Sequence, residues 1–368
     1  MTMIYLIRHA EAEGNLYRIS QGQYDSAVTD FGYRQIAALA ARFAPVAIDA
    51  VYSSDLYRTC ATAQAICGPK GLPLHKCRDL REICVGDWEQ KPWGEIARDE
   101  PREMEYFLHR LDLWHIPGAE TPEAVRDRML RALRAIAAEN PGKTVAVFSH
   151  GSAIRILLAA LQGYSVAEIG KTPHGCNTAV SLLEAEGPSL RVIFRDDGSH
   201  LDGAPGTLSR RHPNALEPGL CFSPVLRPEQ AEFVRSCALH AHLDGGDPAE
   251  PVSAEPADRG RTLIAELNGR SAGVLRMESD IQAAQGRGWI TLYCMERAFR
   301  GRGYGVQLLG QAVQYYRPLG RQALCLALSG DNQPAARFFT ACGFTAGEER
   351  TADGRTVWCK DIGFRPLP

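Results

Sequence analysis

This sequence of 368 residues has almost no net charge, no long hydrophobic run and no paired-cysteine motif. Its formal charge is −2, from 41 Lys and Arg against 43 Asp and Glu, which argues against nucleic acid or an anionic membrane as a partner. No segment reaches the apolar length of a membrane span, and the short apolar run at the N-terminus does not resemble a signal peptide. We therefore expect a cytoplasmic protein.

The 11 cysteines include no C-x-x-C pair, and their number is odd. This spacing disfavours both a zinc site and a disulfide framework, and it is typical of reduced thiols that pack as small hydrophobic side chains. We expect no metal in the protein. The length is too great for one ordinary core and predicts two domains.

The first 202 residues alternate between strand-like and helix-like patterns. The apolar runs 3–7 and 144–148 are typical of strands buried on both faces of a parallel sheet. Thr29 is a plausible N-cap for a helix whose apolar stripe extends to Phe43. Further strands are predicted at 46–52, 179–183 and 190–194, and further helices at 58–66 and 122–138.

The second half begins after a stretch rich in Gly, Pro, Ser and Arg at 203–218, which we interpret as a linker. A helix is predicted from 227 to 240, and a weakly patterned loop at 244–261. Asn268-Gly269 predicts a hairpin between strands 262–267 and 272–277. The remaining pattern predicts strands at 289–295 and 324–328 and helices at 306–316 and 333–342.

The first apolar run ends in Arg8-His9, where α/β sheets place their sites. Four segments follow one another in an order that resembles the histidine phosphatase (phosphoglycerate mutase-like) superfamily. They are Arg8 to Asn15, the Arg58 segment, Leu80–Glu89 and Ser149–Gly151. The resemblance implies a three-layer α/β/α fold with a mostly parallel sheet over residues 1–202. It also implies a small phosphorylated metabolite as the substrate.

The resemblance assigns a role to each matching residue. His9 is the expected nucleophile and forms a phosphohistidine, while Arg8 and Arg58 clamp the phosphoryl group. Glu82 is the expected general acid and His150 hydrogen-bonds the transferring group. The expected phosphate-binding residues are Asn15, Gln21, Gly22 and Gly151.

Some positions depart from the superfamily pattern, among them Ala10, Ala27-Val28 and Gln90. They lie outside the expected catalytic set and bear on substrate choice. Glu120 matches a further motif without an assigned role. The interval between Glu82 and His150 is short, as in the superfamily's phosphatases, and favours a phosphatase over a phosphomutase, which stays open.

A second motif, Arg300-Gly301-Arg302-Gly303-Tyr304-Gly305, follows a predicted strand and precedes a predicted helix. Glycines there let backbone N–H groups approach an anion at a helix N-terminus. Together with Asn332, Ala335 and Gly343-Phe344, this motif resembles the GNAT acyltransferase family. The resemblance implies an α+β domain over 219–368, with a mixed, mostly antiparallel sheet.

The GNAT resemblance implies acetyl-CoA as a co-substrate and an unidentified, amine-type acyl acceptor. The expected CoA-binding residues are Met295, Arg300, Gly301, Arg302, Gly303, Tyr304, Gly305, Asn332 and Phe339. Phe339 stands where the family commonly has a Tyr that protonates the leaving thiolate. The sequence thus predicts a bifunctional enzyme, and the alternative is a phosphatase whose second domain only senses acetyl-CoA.

Overall fold

The structure, a computed structural model, describes residues 1–202, 219–224, 228–244 and 260–367. The chain divides into two compact units: Met1–Lys91 with Asp99–Glu217 and Pro366–Pro368, and Pro92–Arg98 with Pro218–Arg365. The predicted linker at 203–218 lies outside the described residues, as does most of the predicted loop at 244–261.

The sheet of the first unit has the strand order β3-β2-β4-β1-β5-β6. Its strands are β1 (Thr2–Arg8), β2 (Ala50–Ser53), β3 (Leu74–Lys76), β4 (Thr144–Ser149), β5 (Val180–Glu186) and β6 (Ser189–Asp197). The first four pair in parallel, while β5 and β6 are antiparallel to their neighbours. The sheet is therefore mostly parallel, as the sequence predicts.

Up to residue 202 the chain also forms seven α-helices and four short 3₁₀ helices. The α-helices are α1 (Glu13–Tyr17), α2 (Asp30–Phe43), α3 (Tyr57–Lys70), α4 (Trp93–Asp99), α5 (Pro101–His109), α6 (Pro122–Glu139) and α7 (Gly151–Leu161). The 3₁₀ helices are Arg78–Leu80, Gly86–Trp88, Val166–Lys171 and Ser199–Leu201. Thr29 caps α2 as predicted, because its hydroxyl accepts a hydrogen bond from the Gly32 amide.

Apolar side chains cover both faces of β1, which lies inside the sheet. Ile7 packs with Leu39 of α2 and Ile66 of α3 in one buried cluster. Ile4 and Leu6 alternate with Ile7 along the strand and are also fully buried, on the face where α6 and α7 contact β1. Because both faces of β1 are buried, its side chains can reach a ligand only near the ends of the strand. In open α/β sheets, ligands bind at the carboxyl ends of the strands, so functional groups are expected there.

One predicted strand begins later than expected. The pattern predicts strand 46–52, whereas β2 is Ala50–Ser53. The Val46 amide instead bonds the Phe43 carbonyl in the turn that ends α2, so the apolar residues at 46 and 48 belong to that turn and its packing. The periodicity alone does not separate these two cases.

The sheet of the second unit has the order β12-β13-β11-β10-β9-β8-β7. Its strands are β7 (Cys221–Pro224), β8 (Gly260–Leu267), β9 (Arg270–Glu278), β10 (Arg287–Met295), β11 (Ala323–Leu328), β12 (Thr345–Arg350) and β13 (Thr356–Asp361). Its helices are α8 (Pro228–Asp244), α9 (Gly305–Tyr316) and α10 (Gln333–Ala341), with 3₁₀ helices at Ala283–Gln285 and Arg297–Phe299. The sheet is mostly antiparallel, as predicted.

Two local features of this sheet are a hairpin turn and a break in strand pairing. The predicted hairpin joins β8 to β9, with Asn268 and Gly269 both at positive φ, 51° and 76°. The only parallel pairing among the described strands of this unit, between β10 and β11, runs from Arg287/Ala323 to Ile290/Leu326. The later residues of β10 and β11 do not pair with each other.

The expectation that all cysteines are reduced is wrong for one pair. Cys325 of β11 and Cys359 of β13 lie directly opposite each other in the antiparallel register and form a disulfide. The two residues are 34 positions apart, so their pairing depends on a strand register that the cysteine spacing does not show. The other nine cysteines form no disulfide. None of the helices in the described ranges is long and apolar enough to cross a membrane.

Candidate active site

Two histidines meet at one edge of the first sheet because their strands are parallel and adjacent. Arg8 of β1 is in register with Ser149 of β4, and the His9 amide bonds the Ser149 carbonyl at 3.0 Å. The next residues on the two strands are therefore His9 and His150, whose ring centroids are 5.3 Å apart. The structure thus brings together two predicted site residues that are far apart in sequence.

The backbone fixes the tautomer of His9. Its Nδ1 lies 2.7 Å from the carbonyl oxygen of Ala10, and a carbonyl can only accept a hydrogen bond. Nδ1 therefore carries a proton, and in the neutral ring Nε2 holds the free electron pair. This arrangement leaves Nε2 as the nitrogen available for nucleophilic attack.

Burial and positive charge keep both imidazoles neutral. Burial lowers the pKa of His9 well below its usual value, and the nearby Arg58 and Arg8 guanidinium groups lower it further. Burial and Arg58 also lower the pKa of His150 well below its usual value. A neutral imidazole is the form that can act as a nucleophile.

Arg8 lies beside His9 at the end of β1. Its Nη1 donates to the Gly175 carbonyl at 2.5 Å and lies 3.1 Å from Nδ1 of His174, which the sequence analysis did not single out. Its Nε is buried and has no hydrogen-bond partner. Burial lowers the pKa of Arg8, while the negative charge of Glu82 has the opposite, smaller effect and raises it.

Arg58, in the first turn of α3, connects the site to the loop that precedes α2. Its Nη1 donates to the Tyr24 carbonyl and its Nη2 to the Gly22 carbonyl, both at 2.8 Å. Its Nε is also buried without a partner, and burial lowers the pKa of Arg58 to about 10. The group therefore remains a cation at neutral pH.

His150 completes a set of buried polar atoms that lack partners. Its Nε2 lies 2.8 Å from the Ser54 hydroxyl, while its Nδ1 is buried and unpartnered. The unpartnered atoms of the described chain thus include one nitrogen each from Arg8, Arg58 and His150. A buried polar group without a partner is costly, and several together indicate a polar ligand.

The carboxylate of Glu82 lies at the start of α7, the helix that follows His150. Its carboxylate accepts hydrogen bonds from the amides of Ser152, at 3.1 Å, and Ala153, at 2.8 Å. These are N–H groups of the first turn of α7, which the helix itself leaves unsatisfied. Charge interactions of Glu82 reach both Arg8 and Arg58, so the carboxylate belongs to the same cluster.

Two of the predicted phosphate-binding residues, Asn15 and Gly151, lie next to this cluster. Asn15 Oδ1 accepts from the Ala12 amide at 3.0 Å and from Asn177 Nδ2 at 3.4 Å, and Asn177 also donates to the His9 carbonyl. Asn177 was missed because a lone Asn before a strand carries no distinctive signal. Gly151 starts α7, where an added Cβ would lie 3.1 Å from Arg8 Cζ.

Gln21 and Gly22 shape the loop over the site. The Gln21 side chain occupies the space beside Gly14. A Cβ added at Gly14 would lie only 2.1 Å from Cγ of Gln21. Gly22 has a φ of +48°, and a Cβ there would lie 2.5 Å from Glu89 Oε1. Close packing therefore favours glycine at position 14, and backbone conformation favours it at position 22.

In the second unit, the glycine-rich motif forms the turn between β10 and α9. Gly301 and Gly303 have φ of +71° and +82°, which L side chains rarely adopt. Arg300 Nε donates to the Met295 carbonyl at 2.8 Å, and Gly305 is the first residue of α9. The turn therefore presents backbone amides and a helix N-terminus, an arrangement suited to an anion such as a pyrophosphate.

Of the other predicted CoA-binding residues, Tyr304 lies in this turn and Asn332 lies at the start of α10. Tyr304 is buried, and the Arg302 guanidinium lies 5.6 Å from its ring centroid. Asn332 caps α10 by accepting from the Ala335 amide at 3.1 Å, so part of its role is structural.

A cavity of about 130 Å³ opens where β10 and β11 stop pairing. Its walls include Tyr293, Leu328, Asn332 and Phe339. Phe339 is only 3% exposed, and its ring centroid lies 5.2 Å from that of Tyr293. No group of three or more His, Cys, Asp or Glu in the described ranges could hold a metal ion.

Comparison with known families assigns both halves of the chain. Residues 4–197 match the family model of the histidine phosphatase superfamily (branch 1), and residues 231–344 match that of the acetyltransferase (GNAT) family. The chain therefore belongs to the histidine phosphatase superfamily and carries a GNAT domain in addition.

Several individual relatives are similar to about half of this chain. A protein named probable phosphoglycerate mutase GpmB from Yersinia pestis (strain Pestoides F) is 33% identical over 163 residues, 44% of this chain and 76% of that protein. The solved structure of Bacillus stearothermophilus YhfR is 31% identical, with a TM-score of 0.53, and covers 54% of this chain and 99% of its own. A mycobacterial glucosyl-3-phosphoglycerate phosphatase (TM-score 0.50, 24% identical, 53% of this chain, 99% of its own) shows the same fold.

We predict that His9 and His150 stay neutral when the pH falls to about 6, below the ordinary histidine value. A lowered pKa means that protonation occurs only at a lower pH. Long-range ¹⁵N–¹H NMR spectra of ¹⁵N-histidine-labelled protein measure the state of each ring. Spectra of His9→Gln and His150→Gln variants assign the signals. Imidazolium signals from either ring at about pH 6 would contradict the electrostatics described here.

We predict that Gly303→Asp abolishes acetyl-CoA binding, because the side chain strains the backbone and its carboxylate repels an anion at the turn. The matched control is Gly320→Asp, since Gly320 also has positive φ (+74°) and lies outside the turn. Calorimetric titration with acetyl-CoA measures the affinity. Wild-type affinity in Gly303→Asp would remove the CoA site from this turn.

Proposed function

We propose that the first domain hydrolyses a phosphomonoester of a small metabolite through a phosphohistidine at His9. The supporting observation is the set of unpartnered buried nitrogens of Arg8, Arg58 and His150 around a neutral His9. A phosphoryl group has three charged oxygens and would supply hydrogen-bond partners to all three. Two guanidinium groups would also balance its negative charge.

The proposed reaction has two steps. The electron pair of His9 Nε2 attacks phosphorus, the N–P bond forms, and the P–O bond to the metabolite breaks. The released oxygen takes a proton from the Glu82 carboxylic acid. Water then attacks the phosphohistidine, returns a proton to Glu82 and releases inorganic phosphate, so that His9 is regenerated.

The in-class alternative is a phosphomutase, which returns the phosphoryl group to a second position on the metabolite. The similarity to a probable phosphoglycerate mutase supports the phosphomutase alternative. The short interval between Glu82 and His150 favours the phosphatase. Phosphate release that does not require a bisphosphate primer supports hydrolysis, and a strict primer requirement supports the mutase.

We predict that Glu82→Gln slows hydrolysis of alkyl phosphates by roughly 10²–10⁴-fold but affects p-nitrophenyl phosphate far less. An alkoxide leaving group needs a proton, whereas p-nitrophenolate leaves without one. The control is Glu89→Gln, because Glu89 is a nearby carboxylate that binds the Gln23 amide at 2.9 Å. Equal losses for both substrates in Glu82→Gln, with selective loss in Glu89→Gln, would transfer the acid role to Glu89.

We also propose that the GNAT domain transfers the acetyl group of acetyl-CoA to a small amine-type acceptor, which makes the protein bifunctional. The turn at Gly301 and Gly303 and the cavity between β10 and β11 support this proposal. We propose domain limits of 1–202 and 219–368 and a cytoplasmic location, as expected from the sequence. The alternative is a domain that binds acetyl-CoA without turnover.

We predict that Phe339→Tyr preserves acetyl-CoA binding and raises acetyl transfer by about one to three orders of magnitude if the enzyme lacks a positioned acid. The leaving thiolate gains from an O–H donor, and Phe339 lines the cavity. Calorimetry measures binding, and thiol release over a panel of amines measures transfer. Phe344→Tyr is the control, because Phe344 is also buried and packs 5.2 Å from Phe339.

Each outcome of this experiment has a distinct meaning. No transfer in either the wild type or Phe339→Tyr, with binding intact, favours the sensor. Lost binding in Phe339→Tyr would show that this ring serves only packing and that the proposed position of the thioester is wrong.

A further inference from the structure

Arg128, in α6, uses its whole side chain to hold the segment that carries Glu82. It is 8% exposed and donates five hydrogen bonds. Three go to carbonyl oxygens, those of Asp79 (2.8 Å), Arg81 (2.6 Å) and Glu82 (2.9 Å), and two go to the Glu120 carboxylate (2.9 and 3.0 Å). A guanidinium has five N–H donors, so all are satisfied within the protein.

Glu120 fixes the guanidinium in this orientation. Its two oxygens accept from Nε and Nη2 of Arg128 in a bidentate pair, and Oε2 also accepts from the Cys84 amide at 2.9 Å. A bidentate carboxylate determines the plane of a guanidinium, which a single contact would not. Glu120, a residue to which the sequence assigned no role, thus aims the remaining donors of Arg128 at the backbone.

The contacts lie on both sides of Glu82 in the chain. Arg128 binds the Arg81 carbonyl, in the peptide that precedes Glu82, and the Glu82 carbonyl, in the peptide that follows it. Gln23 Nε2 adds a bond to the Glu82 carbonyl at 3.2 Å. With both flanking peptides held, the direction in which the Glu82 side chain leaves the backbone is determined.

We propose that the Arg128–Glu120 pair is a positioning device for the general acid: it holds the Glu82 backbone so that the carboxyl group meets the leaving oxygen. This inference rests on the proposed function of Glu82. Arg128 has no free donor for substrate, so it acts through Glu82 and is not a catalytic residue. A displacement of about 1 Å at a reacting group costs up to 10²-fold in rate.

A purely structural role for Arg128 is distinguished by the dependence on the leaving group. Loss of stability lowers activity towards every substrate, because it removes folded enzyme. Misplacement of the acid lowers kcat/KM only where the leaving oxygen needs a proton. The ratio of kcat/KM for an alkyl phosphate to that for p-nitrophenyl phosphate is independent of the amount of folded enzyme.

The test uses Arg128→Lys in the full-length protein. Lysine retains the charge but has three donors at one point, so it cannot hold all three carbonyls. We expect kcat/KM for an alkyl phosphate to fall roughly 10–100-fold while that for p-nitrophenyl phosphate changes by less than about threefold. The matched control is Arg131→Lys, since Arg131 lies three residues on in α6, is exposed, and contacts only the Asp79 side chain of this segment. We expect no change in its ratio.

A second variant covers the case in which Arg128→Lys does not fold. Glu120→Gln keeps the shape of the side chain but weakens the bidentate contact that orients Arg128, and it should show the same selective loss to a smaller degree. An unchanged ratio in the folded variant, or a changed ratio in Arg131→Lys, would overturn the proposal. His9→Ala is assayed in parallel: if it retains activity, the proposed phosphohistidine mechanism fails, whatever Arg128 does.

Discussion

The parallel pairing of β1 with β4 is the constraint on which the first site depends. With Arg8 opposite Ser149, the chain places His9 and His150 side by side as each strand ends. A register shift of one residue would turn one of the two side chains to the other face of the sheet. The buried apolar side chains of both strands oppose such a shift, since it would move Ile7 or Phe148 out of the cluster in which they pack. The core of the sheet therefore sets the geometry of the site.

Two guanidinium groups near His9 help to keep its imidazole neutral. Arg58 is buried and Arg8 is half-buried, and their charges depress the pKa of His9 while burial of the imidazole does the same. The site thus holds a neutral imidazole beside two cations, and the unbalanced positive charge is the reason for proposing an anionic substrate. Because Arg58 also binds the loop carbonyls of Gly22 and Tyr24, the histidine cluster and the loop share one cation.

The sequence predicted the elements whose signals are local. Thr29 as a cap, the strand predicted at 144–148 and the Asn268-Gly269 hairpin depend on a few adjacent residues, and all are present. The sequence did not predict contacts that need a register or a distant partner. The Cys325–Cys359 disulfide depends on the pairing of β11 with β13, and the five bonds of Arg128 depend on α6 lying against the Glu82 segment. Arginines on an amphipathic helix usually face solvent, so nothing local distinguishes Arg128 from Arg131.

The most direct test of the central claim is to trap the covalent intermediate. Protein mixed with a ³²P-labelled phosphomonoester, quenched within milliseconds and digested under alkaline conditions that preserve phosphohistidine, is analysed by mass spectrometry. The account predicts an acid-labile phosphoryl group on Nε2 of His9 in the wild type, and none in His9→Ala, with acetyl-CoA binding intact in both. Phosphate release by His9→Ala at the wild-type rate, or a label on another residue, would contradict it.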